Sequence, residues 1–175
     1  MKKIGFFSTL ILIGFCQSSA LAGLDRLNDF ALLDASGQFH QLSRYQHSKA
    51  LVLMAYRADC PAMAEQLESY KQAQAKYSDQ GVEFLLIDSA DLGRSTLASY
   101  GLSLPLLEDD GQLVSESFEI RETGEVLVLN PLRSSLYYRG APSEALDFAL
   151  AKVIAGGVND TLNTPNNGCP IRSEE

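Results

Sequence analysis

Cysteine is scarce in this chain of 175 residues and histidine scarcer, with three and two copies. No nucleotide-binding glycine loop appears, and no serine–histidine nucleophile pattern, so phosphate-cradling and serine-hydrolase chemistry have nothing to stand on. No internal repeat or long low-complexity linker divides the chain. Positive charge is short too: 14 basic residues face 22 acidic ones. No basic cluster is available to neutralise a phosphate backbone, which excludes nucleic acid as a partner. The acidic balance instead suits solubility.

What is present begins with "MKKIGFFSTLILIGFCQSSALAG". Lys2 and Lys3 form a positive n-region, Ile4 to Phe15 an apolar core, and Ala20-Leu21-Ala22 a small-x-small cleavage site. This is the pattern of a secretory signal peptide, 1–22, and it implies a periplasmic or secreted protein with no stable membrane anchor. Lipid attachment at Cys16 is the weaker reading, because bulky Phe15 precedes it. The chain from Gly23 then carries 12 basic residues (14 less Lys2 and Lys3) against 22 acidic ones. It keeps two cysteines, Cys60 and Cys169, which an oxidising compartment allows to be bridged.

The remaining length fits one domain, 23–156, followed by an extended C-terminal tail, 157–175. "FALLD" and "QFHQLS" around Asp34-Ala-Ser-Gly37 predict an N-terminal hairpin. "ALVLMAY" is a continuous apolar run, as in a strand buried on both faces. Pro61 fits the first turn of a helix whose stripe is Met63, Leu67, Tyr70 and Tyr77, ending at Gly81. "VEFLLI" is a second buried strand. Ser95 to Tyr100 and Leu113 to Phe118 are short helix candidates, and Pro105 breaks the apolar patch between them. "EVLVLN" and "SLYYR" form a second hairpin. A last helix starts at Ser143, a good N-cap, and stops at Gly156-Gly157. The order predicts an α/β fold with a mixed central sheet and helices on both faces. Reactive groups of such sheets lie beyond the strand ends, where Cys60 falls.

The buried strand, the cysteine at a helix start, the β-β-α finish and the N-terminal hairpin resemble thioredoxin-like redoxins. "GLSLPLLEDDGQLVSESFEI", "TGEVLVLNP" and "LYYRGAP" resemble the peroxiredoxin-like, alkyl hydroperoxide reductase/thiol-specific antioxidant group. The resemblance implies a thioredoxin-like fold and a thiol-dependent oxidoreductase with no organic cofactor. Its partners would be a peroxide or a protein thiol or disulfide, and an external thiol reductant. Three departures stand out. Arg57 replaces the first cysteine of a Cys-x-x-Cys pair ending at Cys60. Leu53 and Arg57 replace the proline and threonine of the peroxiredoxin motif, removing its peroxide-holding hydroxyl. Thr123-Gly124 stands where such proteins place a cis-proline facing the cysteine.

The catalytic candidates are therefore Cys60, Cys169 and Arg57, with Pro61, Thr123 and Gly124 as the substrate-binding surface. A cysteine at a helix N-cap is expected to be a water-reachable thiolate, stabilised by free N–H groups and the helix dipole. Arg57 adds positive charge and Asp59 subtracts it. Cys169 is the candidate resolving or bridging thiol; the alternative is an unpaired thiol on a disordered tail. Cys60 itself has two other readings. It is an inert buried side chain on a non-catalytic accessory module that binds a partner protein, or, with Met63, a Cu(I) ligand. Met63 lies on the apolar stripe and suits core packing better, so no metal site is assigned. His40 and His47 are read as surface histidines, Arg121 and Arg139 as surface arginines paired with acids, and Glu108-Asp109-Asp110 as a solvated turn.

Overall fold

Seven consecutive apolar residues, Ala50–Tyr56, form a strand (β3) in which every side chain is buried. Such a strand must have a partner layer on each face, and the rest of the fold supplies them. The structure, a computed structural model, describes residues 27–88, 103–157 and 161–171. The signal-peptide segment and the helix candidate Ser95 to Tyr100 lie outside these residues.

The described elements run β1 (Ala31–Leu33), β2 (Phe39–Gln41), β3, α1 (Met63–Tyr77), β4 (Val82–Asp88), β5 (Leu106–Glu108) and α2 (Leu113–Ser117). They continue with β6 (Val126–Asn130), β7 (Ser135–Gly140), α3 (Glu144–Ile154) and β8 (Leu162–Asn163). The main sheet has strand order β5-β4-β3-β6-β7-β8. β3 pairs parallel with β4 and antiparallel with β6, so the sheet is mixed. β1 and β2 form a separate antiparallel hairpin in register Ala31 to Gln41.

One face of the sheet packs on α1 and α3 through Val52, Met54, Met63, Leu67, Tyr70, Leu146 and Leu150. The other packs on α2 and the N-terminal segment through Phe30, Leu42, Leu51, Leu53, Val114 and Phe118. The alternation along β3 thus divides its residues between two cores, and both faces are dry because both carry helices. Tyr70 fastens α1 to the sheet: its buried hydroxyl lies 3.0 Å from Val52 O and 2.8 Å from Leu85 O. The Ser143 hydroxyl accepts from Ala145 N, as an N-cap should.

Four expectations change. Pro105 does not end the apolar patch but precedes β5, at a place where its missing N–H is not needed, while its carbonyl accepts from Leu86 N at 2.9 Å. Asp109 is 2 % exposed, not solvated; its carboxylate accepts from Val114 N, Ser115 N and Ser115 Oγ, capping α2. His40 is likewise buried, with Nε2 3.0 Å from Asp34 Oδ2 and Nδ1 against the Tyr45 hydroxyl. Finally, the tail is extended where described but is docked: β8 pairs parallel with β7, and Ile171 is buried in the second core.

Candidate active site

β3 delivers the chain to a tight turn, Arg57 to Ala62, before α1 begins. Cys60 N donates to Arg57 O at 3.3 Å, and Met63 N donates to Cys60 O at 3.0 Å. The N-cap is Ala62, so Pro61 is not the first helical residue and Cys60 precedes the cap by two positions. The dipole effect fades within a turn. Nor is Cys60 open to water: it is 4 % exposed and belongs to the core beneath α1. The water-reachable thiol at a helix cap is thus corrected on both counts.

The second wall of the site is the segment leading into β6. Gly124 N donates to Ala55 O, and Ala55 N donates to Glu125 O. This pairing extends the β3–β6 ladder and sets Thr123, fully buried, against Cys60. Its hydroxyl donates to Cys60 Sγ at 3.1 Å. Gly124 has φ +71°, a conformation that favours glycine, and an added Cβ would lie 2.1 Å from the Gln66 carboxamide, which would have to swing away.

The third wall is the C-terminal strap, residues 161–171. Cys169 is bonded to Cys60, S–S 2.09 Å with Cα atoms 5.8 Å apart. The strap also runs antiparallel to residues 121–123: Thr123 N donates to Cys169 O and Ile171 N donates to Arg121 O. Cys169 N donates to Thr123 Oγ1 at 2.9 Å, so one hydroxyl serves both cysteines. Asn166 Nδ2 donates to Thr123 O and Glu122 Oε2. Gly168 passes so close that a Cβ would fall 1.8 Å from Thr123 O. The backbone of Thr123 and the face of Gly124 are therefore covered by the protein's own strap and by Gln66.

Arg57 does not point its charge at an open sulfur. It forks onto Asp59, with Nε at 2.5 Å and Nη2 at 2.8 Å, while Nη1 donates to Pro170 O at 2.9 Å. The Asp59 hydrogen bond raises the arginine's affinity for its proton, and the same contact holds the Asp59 carboxyl below its usual range. Arg139 is also engaged, with Glu125 and the carbonyls of Phe118 and Glu119. A cleft of about 840 Å³ opens at the Arg57–Pro170 contact, bounded by Arg57, Ser115, Ile120, Arg121, Glu122 and Pro170; neither cysteine lines it.

The structure thus brings together Cys60, Cys169, Thr123, Gly124 and Arg57, and leaves Pro61 exposed on the turn. Residues missed from sequence are Glu122, Asn166, Gly168 and Gln66. Only Gly168 had a signal, as part of a Gly-Cys-Pro turn; the others act through partners far away in the chain.

A mixed sheet, helices on both faces and a cysteine at the β3–α1 turn define a thioredoxin-like redoxin. The AhpC/TSA family model matches residues 24–139, and the chain belongs to that family. A thiol-disulfide oxidoreductase, ResA of Halalkalibacterium halodurans, is 26% identical over 117 residues, 65% of each chain. The chain therefore spans about two thirds of that relative's length, a little under. The fold is shared with an uncharacterised conserved protein from Geobacillus kaustophilus, at TM-score 0.74 and 21% identity, covering 85% of this chain and 90% of that one. It is shared too with the thioredoxin domain of a thiol-disulfide oxidoreductase from Bacteroides vulgatus, at TM-score 0.65 and 13% identity, covering 77% and 99%. Among the described residues, no helix is long and apolar enough to cross a membrane.

Proposed function

We propose that this chain is an exported thiol oxidoreductase, working in the periplasm or after secretion, in which Cys60 and Cys169 alternate between disulfide and dithiol. The observation that carries the reading is the cradle around the pair. Thr123 bonds to Cys60 Sγ and to Cys169 N, and five further strap contacts with 121–123 do not depend on the S–S bond. Opening the disulfide therefore leaves both sulfurs within reach of each other, as a reversible couple requires. The family match and a relative named as a thiol-disulfide oxidoreductase support this reading.

In the dithiol form, one thiolate attacks a partner disulfide and makes a mixed disulfide; the second attacks that bond, closing Cys60–Cys169 and releasing two partner thiols. The reverse sequence oxidises a partner. Two electrons move each way, and an external thiol restores the dithiol. Peroxide is the less favoured substrate, since Leu53 and Arg57 replace the motif's proline and threonine. Purified protein should catalyse thiol–disulfide exchange on a reduced or scrambled protein substrate, and Cys60→Ser or Cys169→Ser should abolish turnover.

One observation favours a second reading, a stapled module without catalysis that binds a partner protein: Cys60 is buried. Equilibration with glutathione separates the two. A reduction potential below about −300 mV, the range of structural disulfides, would favour the staple. A higher one, with turnover, favours the redox couple.

A further inference from the structure

Access and hydrogen bonding distinguish the two sulfurs. Cys60 is 4 % exposed and its Sγ accepts from the Thr123 hydroxyl at 3.1 Å. Cys169 is half-buried, on a strap whose neighbours Asn167 and Pro170 are exposed. Thiol–disulfide exchange is steered by which sulfur can be reached and by which thiolate leaves more easily. A hydroxyl that donates to a sulfur bonds more strongly once that sulfur becomes an anion. Both criteria point the same way.

We propose that Cys169 is the sulfur that exchanges with partners, and that Cys60, held by Thr123, is the interior sulfur that leaves and returns. The sequence had suggested the opposite order. The assignment rests on the redox reading above and deepens it. In reduction, an external thiolate attacks Cys169 Sγ, the S–S bond breaks, and its electron pair stays on Cys60 Sγ. The products are a mixed disulfide at Cys169 and a Cys60 thiolate bonded by Thr123. A second external thiolate attacks the external sulfur of that mixed disulfide, releasing the Cys169 thiolate and an external disulfide. In the oxidising direction of the pair, the Cys169 thiolate attacks a partner disulfide, and Cys60 then displaces the partner from Cys169.

Thr123 is on this account a catalytic residue, since its hydroxyl touches a reacting atom. The contacts of Cys169 O, Asn166 and Ile171 keep the exchanging sulfur close enough for Cys60 to return. That service is given in many redoxins by the shortness of a Cys-x-x-Cys loop, and here by strand pairing.

The test uses the oxidised full chain and glutathione as probe. The reaction is acid-quenched in its first few per cent, free thiols are alkylated, and each cysteine is followed on its own peptide. Glutathione should appear on Cys169, with Cys60 alkylated, in about tenfold or greater excess over the reverse. Equal labelling, or glutathione on Cys60, overturns the assignment while leaving the redox couple intact. A disulfide that never reacts with glutathione at folded-state concentrations sinks both this assignment and the redox reading. A second measurement isolates Thr123. In the fully reduced protein, Thr123→Val should move the pH profile of Cys60 alkylation upward and leave that of Cys169 in place, whereas Thr123→Ser should restore the original profile. An unmoved Cys60 profile in Thr123→Val removes Thr123 from the mechanism.

Discussion

Two appendages dock on the same central sheet through residues distant in the chain, the N-terminal hairpin by Ala35 N donating to Leu106 O and by Phe30 against Phe118. They differ in what fastens each one further: the turn of the hairpin is held by polar neighbours in sequence. Asp34 accepts from Ser36 N, Ser36 Oγ and Gln38 N and meets His40, which stacks on Tyr45. The C-terminal strap is held by residues from the middle of the chain, Thr123 and Arg121, and by a covalent bond across a sequence separation of 109. Polar bonds over a few residues form at little entropic cost. A contact across a hundred residues closes a large loop, and a covalent lock offsets that cost most where the loop is longest. One appendage should therefore answer to pH and the other to redox state.

The largest expected effect is on the strap. Reducing the disulfide, or Cys169→Ala, should destabilise the fold by up to about 5 kcal/mol in the chain-entropy account. Urea unfolding with and without reductant measures it, and amide exchange should show protection over 161–171 lowered but retained through the pairing with 121–123, with β1 and β2 unchanged. A hairpin that loosens equally would erase the contrast. Gly168→Ala comes next. Its new methyl would press on Thr123 O, so it should cost about 2–3 kcal/mol and slow disulfide re-formation after reduction. Unchanged re-formation would mean that the strap does not approach Thr123 so closely.

The hairpin is challenged with acid. Burial pushes the Asp34 carboxyl up, but bonds from Ser36, Gln38 and His40 outweigh it and bring it from 3.8 to about 2. Because the folded value lies below the unfolded one, the contribution is complete above about pH 5 and is lost as pH falls through about 2. Asp34→Asn should cost about 1–2 kcal/mol at neutral pH. The gap to the wild type should close on acidification, with the disulfide unaffected. A gap that persists at pH 2 would place the effect in packing instead. Smallest is Arg57→Ala, which removes the bond to Pro170 O and a half-exposed ion pair with Asp59. At most about 1 kcal/mol is expected, seen as faster exchange at Ile171.

The same division decides what could be read from the sequence. β3, β4, α1 and α3 are legible because their apolar period is local: Met63, Leu67, Tyr70 and Tyr77 all fall on the buried face of α1. The hairpins are legible from their turn residues. β5 and β8 are not, since three and two residues leave no period, and each exists through the strand beside it. Cys60, Cys169, Thr123 and Gly124 were legible as site candidates through the family pattern. The direction of the Thr123 hydroxyl was not, because it depends on the pairing of Gly124 with Ala55. The buried states of His40 and Asp109 escaped for a related reason. A polar side chain is hidden cheaply only when partners satisfy it, and the sequence does not show which partners will arrive.

The bond between Cys60 and Cys169 also turns most of the chain into a closed ring, with α1, β4 to β7, α2, α3 and β8 between its ends. A protease that cuts one peptide link anywhere from Pro61 to Gly168 opens that ring without freeing a fragment. The nicked molecule should migrate as a single species until a reducing agent is added, and only then fall into two. Wherever hydrolases reach it, such a clasp would convert a fatal scission into a tolerable scar.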